Sequence, residues 1–377
     1  MVYSSEQRRH TAGLQLVHSG EEVRVGDPKR LPMHYRELAQ ITADHPLVTG
    51  NWSGLTAHIF RIQLGDFQYT LKIRREESLV RNTDGILAFM TELMCRRRIE
   101  SARQDNYTPG TPLHYMVKSI FGSLNHGILL SPWIEGRTLW EVPTREWTDQ
   151  LLLSYHAAQV MLCRLGIFDW DPCPGNILLD TQGNARLFDF GYAYFFDPCI
   201  EYNSTALLRP QAHTAERFES RALFPSLMKG GENLFGTHAY DLWQRSKLAV
   251  IPRYYKFSEN LHGIGAERRF VWHYYHLAKR WEDALGNEAD ARALFLSELY
   301  RSLVQDMEAE LTVHFCTPIT MQKTEIILTL LKKHYAELHQ AGFLIPGDGE
   351  LSAAQLLEKY RQKQQAVADH QLAGVGS

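Results

Sequence analysis

Three polar residues in the middle of the chain have a spacing that could support phosphoryl transfer. Asp171 is followed five residues later by Asn176 and thirteen residues after that by Asp189, which begins the sequence Asp-Phe-Gly. Transfer of a phosphoryl group needs a carboxylate that orients and deprotonates the attacking hydroxyl, and hard oxygen ligands that hold Mg²⁺. These residue types therefore indicate Asp171 as the base, with Asn176 and Asp189 as metal ligands.

The residues between these side chains predict a β-hairpin. Residues 176–179 and 185–188 are typical of short strands, and residues 180–184 are rich in turn-forming types. Such a hairpin would fold Asn176 back toward Asp189, so that one ion could contact both. Asp and Asn beside Gly and Pro are also ordinary turn residues, but two motifs at matched spacing favour the catalytic interpretation.

Three further strands are predicted upstream, with a glycine-bearing turn between the first two. They cover residues 47–54, 55–64 and 67–73. Gly50 and Gly54 could let backbone N–H groups approach phosphates, although a plain hairpin turn would use the same glycines. Lys72 stands near the end of the third strand. A strand lysine usually faces solvent, but a position after a glycine turn and before a helix favours a functional role.

A helix is predicted directly after these strands. Ile86, Met90 and Leu93 recur with helical spacing within residues 84–99. Glu92 lies in the middle of this helix. Two more strands are predicted at residues 115–120 and 127–131, and from residue 147 the chain is predicted to be mostly helical.

The central motif resembles that of the protein-kinase-like superfamily, which includes Ser/Thr and Tyr kinases, aminoglycoside and choline phosphotransferases, and atypical bacterial kinases. The sequence Asp171-Pro-Cys-Pro-Gly-Asn176 is similar to the Asp-x-x-Pro-x-Asn loop of the small-molecule phosphotransferases and atypical kinases. Two features depart from the family. Cys173 replaces the Lys usual in Ser/Thr kinases, and Asp169 replaces the usual His. An ionised Asp169 could accept a backbone hydrogen bond but could not donate one.

The resemblance implies roles for residues in the first half of the chain. Lys72 would bind the α- and β-phosphates of ATP, and Glu92 would pair with Lys72. Residues 130–139 resemble the hinge of atypical kinases, where the backbone from Ser131 to Trp133 would face the adenine. Pro132 lacks an N–H group and limits the donors there.

The resemblance also implies an α+β fold of two lobes. A small antiparallel β lobe with one helix would precede a larger, mostly helical lobe. An N-terminal extension, ordered at best in part, is predicted at residues 1–40, and the small lobe at 41–131. The large lobe is predicted at 132–345, with an irregular insert at about 197–235. A C-terminal helix with a fraying tail is predicted at 346–377.

The composition is that of an ordinary globular protein and excludes several classes. The chain has 377 residues, of which 44% are hydrophobic, and a net charge of −3, so no nucleic-acid partner is expected. No apolar run is long enough to cross a membrane, so no membrane partner is expected. Five scattered cysteines without a Cys-x-x-Cys pair favour a reducing, cytoplasmic compartment, although secretion as an effector is not excluded.

The sequence therefore predicts an ATP- and Mg²⁺-dependent phosphotransferase that acts on a hydroxyl group. A small-molecule acceptor is favoured, because the loop has the Pro-Gly-Asn form and no Ala-Pro-Glu sequence follows. The first alternative is an atypical protein Ser/Thr kinase, such as a bacterial effector, supported by Asp-Phe-Gly and by a helix whose Asp241 would face the catalytic loop. The second is a pseudokinase that binds a partner, supported by the missing His and the irregular glycine turn.

Overall fold

Six antiparallel strands and three helices form the part of the fold that comes first in the chain. The computed structural model describes residues 5–106, 111–312, 314, 316–340 and 342–371. The elements here are α1 (Ser5–Ser19), β1 (Arg24–Gly26), α2 (Tyr35–Leu38), β2 (Val48–Ser53), β3 (Ala57–Leu64), β4 (Phe67–Arg74), α3 (Thr83–Asn106), β5 (Phe121–Ser123) and β6 (Ile128–Pro132). The strand order is β1-β5-β6-β4-β3-β2.

The sequence predicted β2, β3, β4 and β6 correctly, with small shifts at their ends. The strand predicted from Tyr115 to Ile120 is wrong in position. Pro112–Tyr115 form a 3₁₀ turn instead, and β5 begins only at Phe121. Proline favours the first turn of a helix because its fixed backbone angle suits that position and its missing N–H is not needed there.

The N-terminal residues differ from the predicted extension. β1 pairs with β5, with Val25 opposite Gly122, and so completes one edge of the sheet. Val23 and Val25 are buried in a cluster that also contains Leu93 of α3. α1 packs on the same helix, where Gly13 lies against Leu87. Residues 1–4 lie outside the described residues.

Helices dominate the rest of the protein, so the chain as a whole is a mixed α+β fold. Its elements are β7 (Gly136–Thr138), α4 (Asp149–Arg164), β8 (Ile167–Asp169), β9 (Ile177–Asp180), β10 (Ala185–Leu187), β11 (Ala193–Phe195), α5 (Thr214–Phe218), α6 (Phe224–Lys229), α7 (Thr237–Gly263), α8 (Arg268–Leu285), α9 (Glu288–Thr312), α10 (Pro318–Gln340) and α11 (Ala353–Asp369). Two small antiparallel sheets, β10-β9-β7 and β11-β8, lie among them.

The insert predicted to be irregular, at about 197–235, contains a nearly continuous helical segment. α5 runs into a π-helical turn at Glu219–Leu223, and this turn runs into α6. Phe218 and Phe224 are buried in the core of the helical region. The apolar residues of this segment, rather than its many polar ones, therefore decide its structure.

The C-terminal helix agrees with the prediction. Ser352 caps α11 with a capping box that includes Gln355, and Leu356 and Tyr360 bury the inner face of the helix. The tail at residues 372–377, predicted to fray, lies outside the described residues. Within the described ranges, every helix is too short or too polar to span a lipid bilayer.

Candidate active site

The alternation of β4 directs Lys72 toward α3. Leu71 pairs across the sheet with Leu130, and both belong to the apolar cluster on one face. Lys72 pairs with Leu129, which belongs to the cluster on the opposite face together with Leu93 of α3. Because successive strand residues point to opposite faces, Lys72 lies on the face covered by α3.

The helix α3 places Glu92 directly against Lys72. Asn82 caps the start of the helix, because its Oδ1 accepts the N–H of Gly85 at 2.8 Å. The Lys72 Nζ lies 3.0 Å from both carboxylate oxygens of Glu92. One turn later, Arg96 donates to Glu92 Oε1 from Nε at 3.1 Å and from Nη2 at 3.0 Å. Glu92 therefore bridges two buried cations.

Asp189 joins the same cluster from the Asp-Phe-Gly loop. Its Oδ2 accepts from Lys72 Nζ at 2.9 Å, and its Oδ1 accepts the N–H of Gly191 at 3.1 Å. Arg96 donates to the carbonyl of Phe188 and so ties α3 to this loop. The structure therefore brings together Lys72 and Glu92, the pair that the resemblance implied, and adds Asp189 to them.

The charges in this cluster stabilise one another. Burial opposes a charge on Lys72, but the carboxylates of Asp189 and Glu92 outweigh it and raise the pKa of the lysine. Burial likewise opposes ionisation of Asp189, but Lys72 and the Gly191 N–H lower the pKa of that carboxyl. Both groups are consequently charged at neutral pH.

The predicted hairpin is present, and it positions Asn176. β9 and β10 are antiparallel, with Ile177 opposite Leu187. Asn176 directly precedes Ile177, and Asp189 follows Leu187 by two residues, so both lie just beyond the open end of the hairpin. The Asn176 Nδ2 donates to the carbonyl of Asp171 at 3.0 Å. Among the described residues, no hydrogen bond or ion pair links Asp171 or Asn176 to Lys72.

The oxygen atoms at this end of the hairpin suit a hard divalent cation. The Asn176 Nδ2 donates to the carbonyl of Asp171, so the Asn176 Oδ1 points away from that carbonyl. No described residue donates a hydrogen bond to this Oδ1. Asp189 supplies an ionised carboxylate. An amide oxygen and a carboxylate are ligands that Mg²⁺ accepts, so the residues present fit the predicted ion.

A second acidic cluster is less suitable for a metal. Ligand atoms of Glu6, His10 and Asp84 lie within 4.8 Å of one another. The Asp84 Oδ1 already accepts from Tyr194 at 2.6 Å, and Arg9 pairs with it at 3.3 Å. A guanidinium at this distance competes with a cation for the carboxylate.

Asp171 has a partner that the sequence did not indicate. The Arg221 Nε lies 3.0 Å from Asp171 Oδ1, and Arg221 Nη2 lies 2.6 Å from the same oxygen. Arg221 comes from the π-helical turn, fifty positions away in the sequence. Arg221 lies in the segment that the sequence predicted to be irregular, so nothing in the sequence indicated its contact with Asp171.

Asp169 accepts a backbone hydrogen bond, but from its own loop and not from the loop that carries Asp189. Its Oδ1 accepts the N–H of Asp171 at 3.1 Å, and its Oδ2 accepts from Gln159 Nε2 at 2.9 Å. Burial raises its pKa to about 7, with a smaller contribution from the charge of Asp171, while the two hydrogen bonds oppose the rise. Asp169 therefore supports the loop backbone and titrates near neutral pH.

We expect Asp169→Asn to remove a pH dependence of stability. The pKa of Asp169 is about 7 in the folded protein, whereas the ordinary value is 3.8. Between these pH values the folded protein therefore binds one proton more than the unfolded protein. The wild-type free energy of unfolding should therefore fall as pH rises through this window. The oxygen of the introduced amide can still accept from Asp171, and rotation of the Gln159 amide gives the introduced NH₂ an acceptor.

Urea denaturation at pH 5 and pH 8 checks this prediction. The variant should gain stability relative to wild type on going from pH 5 to pH 8. An equal difference between the two proteins at both pH values would contradict the assignment.

The predicted nucleotide-binding positions are only partly arranged as expected. Gly50 lies inside β2, opposite Arg61, rather than in the turn. Gly54 does lie in the β2–β3 turn, where its carbonyl accepts from Arg75 Nε at 2.9 Å. The pairing is regular from Ser53 opposite His58 to Gly50 opposite Arg61, so the β2–β3 register makes Gly50 a strand residue.

The hinge backbone also differs from the prediction, because its groups form hydrogen bonds within the sheet. Ser131 lies opposite Thr70 within the sheet. The N–H of Trp133 donates to the carbonyl of Gln68 at 3.0 Å, and Pro132 has no N–H. The Trp133 amide therefore extends the β4–β6 pairing and does not face an adenine site in this conformation.

Comparisons with known proteins do not identify a family. No protein-family model and no curated protein matches the chain. A solved structure described as "High resolution (2.2 A) crystal structure of WbdD" is 16% identical over 40% of this chain and 34% of that chain, with a TM-score of 0.29. This chain thus covers about a third of that protein, and the similarity is too low to define the fold.

Proposed function

We propose that this protein has a two-lobed, protein-kinase-like fold and transfers the γ-phosphoryl group of ATP to a hydroxyl group of a small molecule, with Mg²⁺. One observation carries the proposal. The buried Lys72 ammonium lies 2.9–3.0 Å from Glu92 and Asp189, which are 20 and 117 positions away in the sequence. A lysine held between two carboxylates, one of them beside the open end of a hairpin, is suited to contact phosphate oxygens.

Each residue then has a defined task in the proposed reaction. Lys72 contacts the phosphates, and Glu92 fixes the position of Lys72. Asn176 and Asp189 hold Mg²⁺, which when bound neutralises charge on the phosphate oxygens. Asp171 orients the acceptor hydroxyl and takes its proton. The hydroxyl oxygen bonds to the γ-phosphorus as the bond from phosphorus to the β–γ bridging oxygen breaks, and ADP leaves.

The helical segment near Asp171 supports a small-molecule acceptor. Residues 214–229 are helical and largely buried, so they offer no extended backbone with which a protein substrate could pair. Asp241, which favoured a protein kinase, lies exposed on α7 and has no hydrogen bond within the described residues. The expectation that it faces the catalytic loop is therefore not supported.

A second candidate is a pseudokinase that binds a partner without catalysis. The observation that favours it is the Trp133 N–H, which is used within the sheet and not available to a nucleotide. Nucleotide binding separates the two candidates.

The test is Mg²⁺-dependent stabilisation by ATP, measured by thermal unfolding of wild type and Asp189→Ala. Wild type should be stabilised by about 2.7 kcal/mol at an ATP concentration 100 times the dissociation constant, and only with Mg²⁺. Asp189→Ala should lose this stabilisation and metal-dependent turnover. It should remain folded, because Lys72 keeps its pair with Glu92.

Asp241→Ala is the matched control, since it removes an exposed carboxylate remote from these contacts. It should behave like wild type. Absence of stabilisation in wild type would count against the phosphotransferase and favour the pseudokinase. Turnover by Asp189→Ala at the wild-type rate would overturn the role of Asp189.

A further inference from the structure

Both hydrogen bonds from Arg221 to Asp171 end on one carboxylate oxygen. Nε and Nη2 approach Oδ1 at 3.0 and 2.6 Å. Within the part of the chain that the structure describes, no donor reaches Oδ2. A carboxylate held on one oxygen by two converging donors cannot rotate freely, so the second oxygen has a fixed direction.

Arg221 is itself anchored on its other side. Its Nη1 donates to Asp306 Oδ1 of α9 at 2.9 Å. The other oxygen of Asp306 accepts from Lys323 Nζ of α10 at 2.5 Å, and Lys323 also donates to Glu310 at 2.8 Å. Asp171, Arg221, Asp306, Lys323 and Glu310 thus form a chain of alternating charges.

This network of five charged side chains is buried at one end and partly exposed at the other. Asp306 and Lys323 are buried, whereas Asp171 and Arg221 remain partly exposed, with side-chain exposures of 26% and 29%. Burial opposes the charge on Asp306, but Lys323 and Arg221 outweigh it and lower its pKa. The network therefore has a fixed end among α9 and α10 and an accessible end at the proposed base.

The origin of Arg221 explains why it can reach Asp171. It lies in the π-helical turn at Glu219–Leu223, between the buried side chains of Phe218 and Phe224. A π-helical turn adds a residue to the helical repeat and changes which side chains share a face. The neighbours of Arg221 can therefore face the core while its guanidinium faces the catalytic loop.

We propose that Arg221 is the positioning residue for Asp171. It holds Oδ1 so that Oδ2 is left to accept the hydrogen bond, and then the proton, of the acceptor hydroxyl. It also places a positive charge directly beside the loop that carries the proposed base. This inference rests on the proposed function and adds a residue to that site.

The experiment uses ATP hydrolysis, with water as the acceptor, because the natural acceptor is not identified. Arg221→Met should lower kcat by about 10- to 100-fold, the loss expected when a reacting group is misplaced. The KM for ATP and the Mg²⁺-ATP stabilisation should stay within twofold of wild type. Arg221→Lys should recover part of the rate.

A double-mutant cycle separates positioning from general loss of structure. If Arg221 acts through Asp171, the variant Asp171→Asn with Arg221→Met should be no slower than Asp171→Asn alone. A structural defect would instead slow both backgrounds equally. Arg221→Met should fold, because Asp306 keeps its pair with Lys323.

Arg245→Met is the matched control. Arg245 also donates from Nε to an aspartate oxygen, that of Asp149, at 2.6 Å, but it lies on α7 away from Asp171. Its variant should keep the wild-type rate. An unchanged or higher rate in Arg221→Met would overturn the inference, as would an equal loss in both backgrounds. Failure of wild type to bind Mg²⁺-ATP would instead count against the proposed function.

Discussion

Replacement of Lys72 by Met should lower ATP turnover by about 100-fold or more. The change removes a buried positive charge at the proposed phosphate site, and loss of one such preorganised group costs about 10²–10³ in rate. It also removes the cation that lowers the pKa of Asp189 against the effect of burial. Asp189 would therefore hold Mg²⁺ less well, and the Mg²⁺-ATP stabilisation should fall with the rate.

The fold should survive this change, because Glu92 keeps its pair with Arg96. Thermal unfolding without nucleotide measures that point separately from turnover. Lys256→Met is the control, since Lys256 forms an exposed pair with Glu259. A Lys72→Met protein with more than half of the wild-type rate would show that Lys72 does not contact the phosphates.

The parts of the site that the sequence predicted depend on short-range patterns. The strand and the helix that carry Lys72 and Glu92 were predicted from local patterns, and the resemblance implied that the two side chains pair; in the structure Lys72 lies on the face covered by α3, where Glu92 is buried. Turn residues predicted the hairpin that aligns Asn176 with Asp189. In each case local geometry determines the direction of the side chain, so a pattern of few residues is sufficient.

The parts that the sequence missed depend on contacts between distant segments. Arg221 meets Asp171 only because two buried phenylalanines fix the segment that carries it, and an arginine in a polar stretch has no such signature. β1 has three residues with one buried, too few for a periodic pattern. The use of the Trp133 amide depends on the register of β4 against β6, which the hinge sequence does not determine.

The largest loss of stability is expected for Lys247→Met. Lys247 is fully buried in α7 and pairs with Glu219 of the π-helical turn and, at 2.7 Å, with Glu298 of α9. Removal of the lysine leaves two buried carboxylates without their shared cation. Breaking a buried ion pair from one side costs about 3–5 kcal/mol, because the remaining charge is not compensated.

The loss should be larger at high pH. Burial already raises the pKa of Glu219 to about 8 although Lys247 opposes the rise, so removal of Lys247 raises it further. Between 4.5, the ordinary pKa of Glu, and about 8 the folded forms of both proteins hold the Glu219 proton, so both lose stability equally as pH rises. Above about 8 the decline ends in wild type but continues in the variant. Urea denaturation should therefore show a greater difference between wild type and variant at about pH 9 than at about pH 6.

Two further variants test the cause of this loss. Lys256→Met removes an exposed pair and should change stability by about 0.5 kcal/mol or less. Adding Glu219→Gln to Lys247→Met should recover part of the stability, because the introduced amide needs no proton to be neutral in the folded protein. Glu298 keeps its pair with Arg280 at 3.2 Å. A loss below about 1 kcal/mol in Lys247→Met would contradict the prediction. Glu219 and Arg221 share the π-helical turn, so the same variant should also lower turnover if Arg221 positions Asp171.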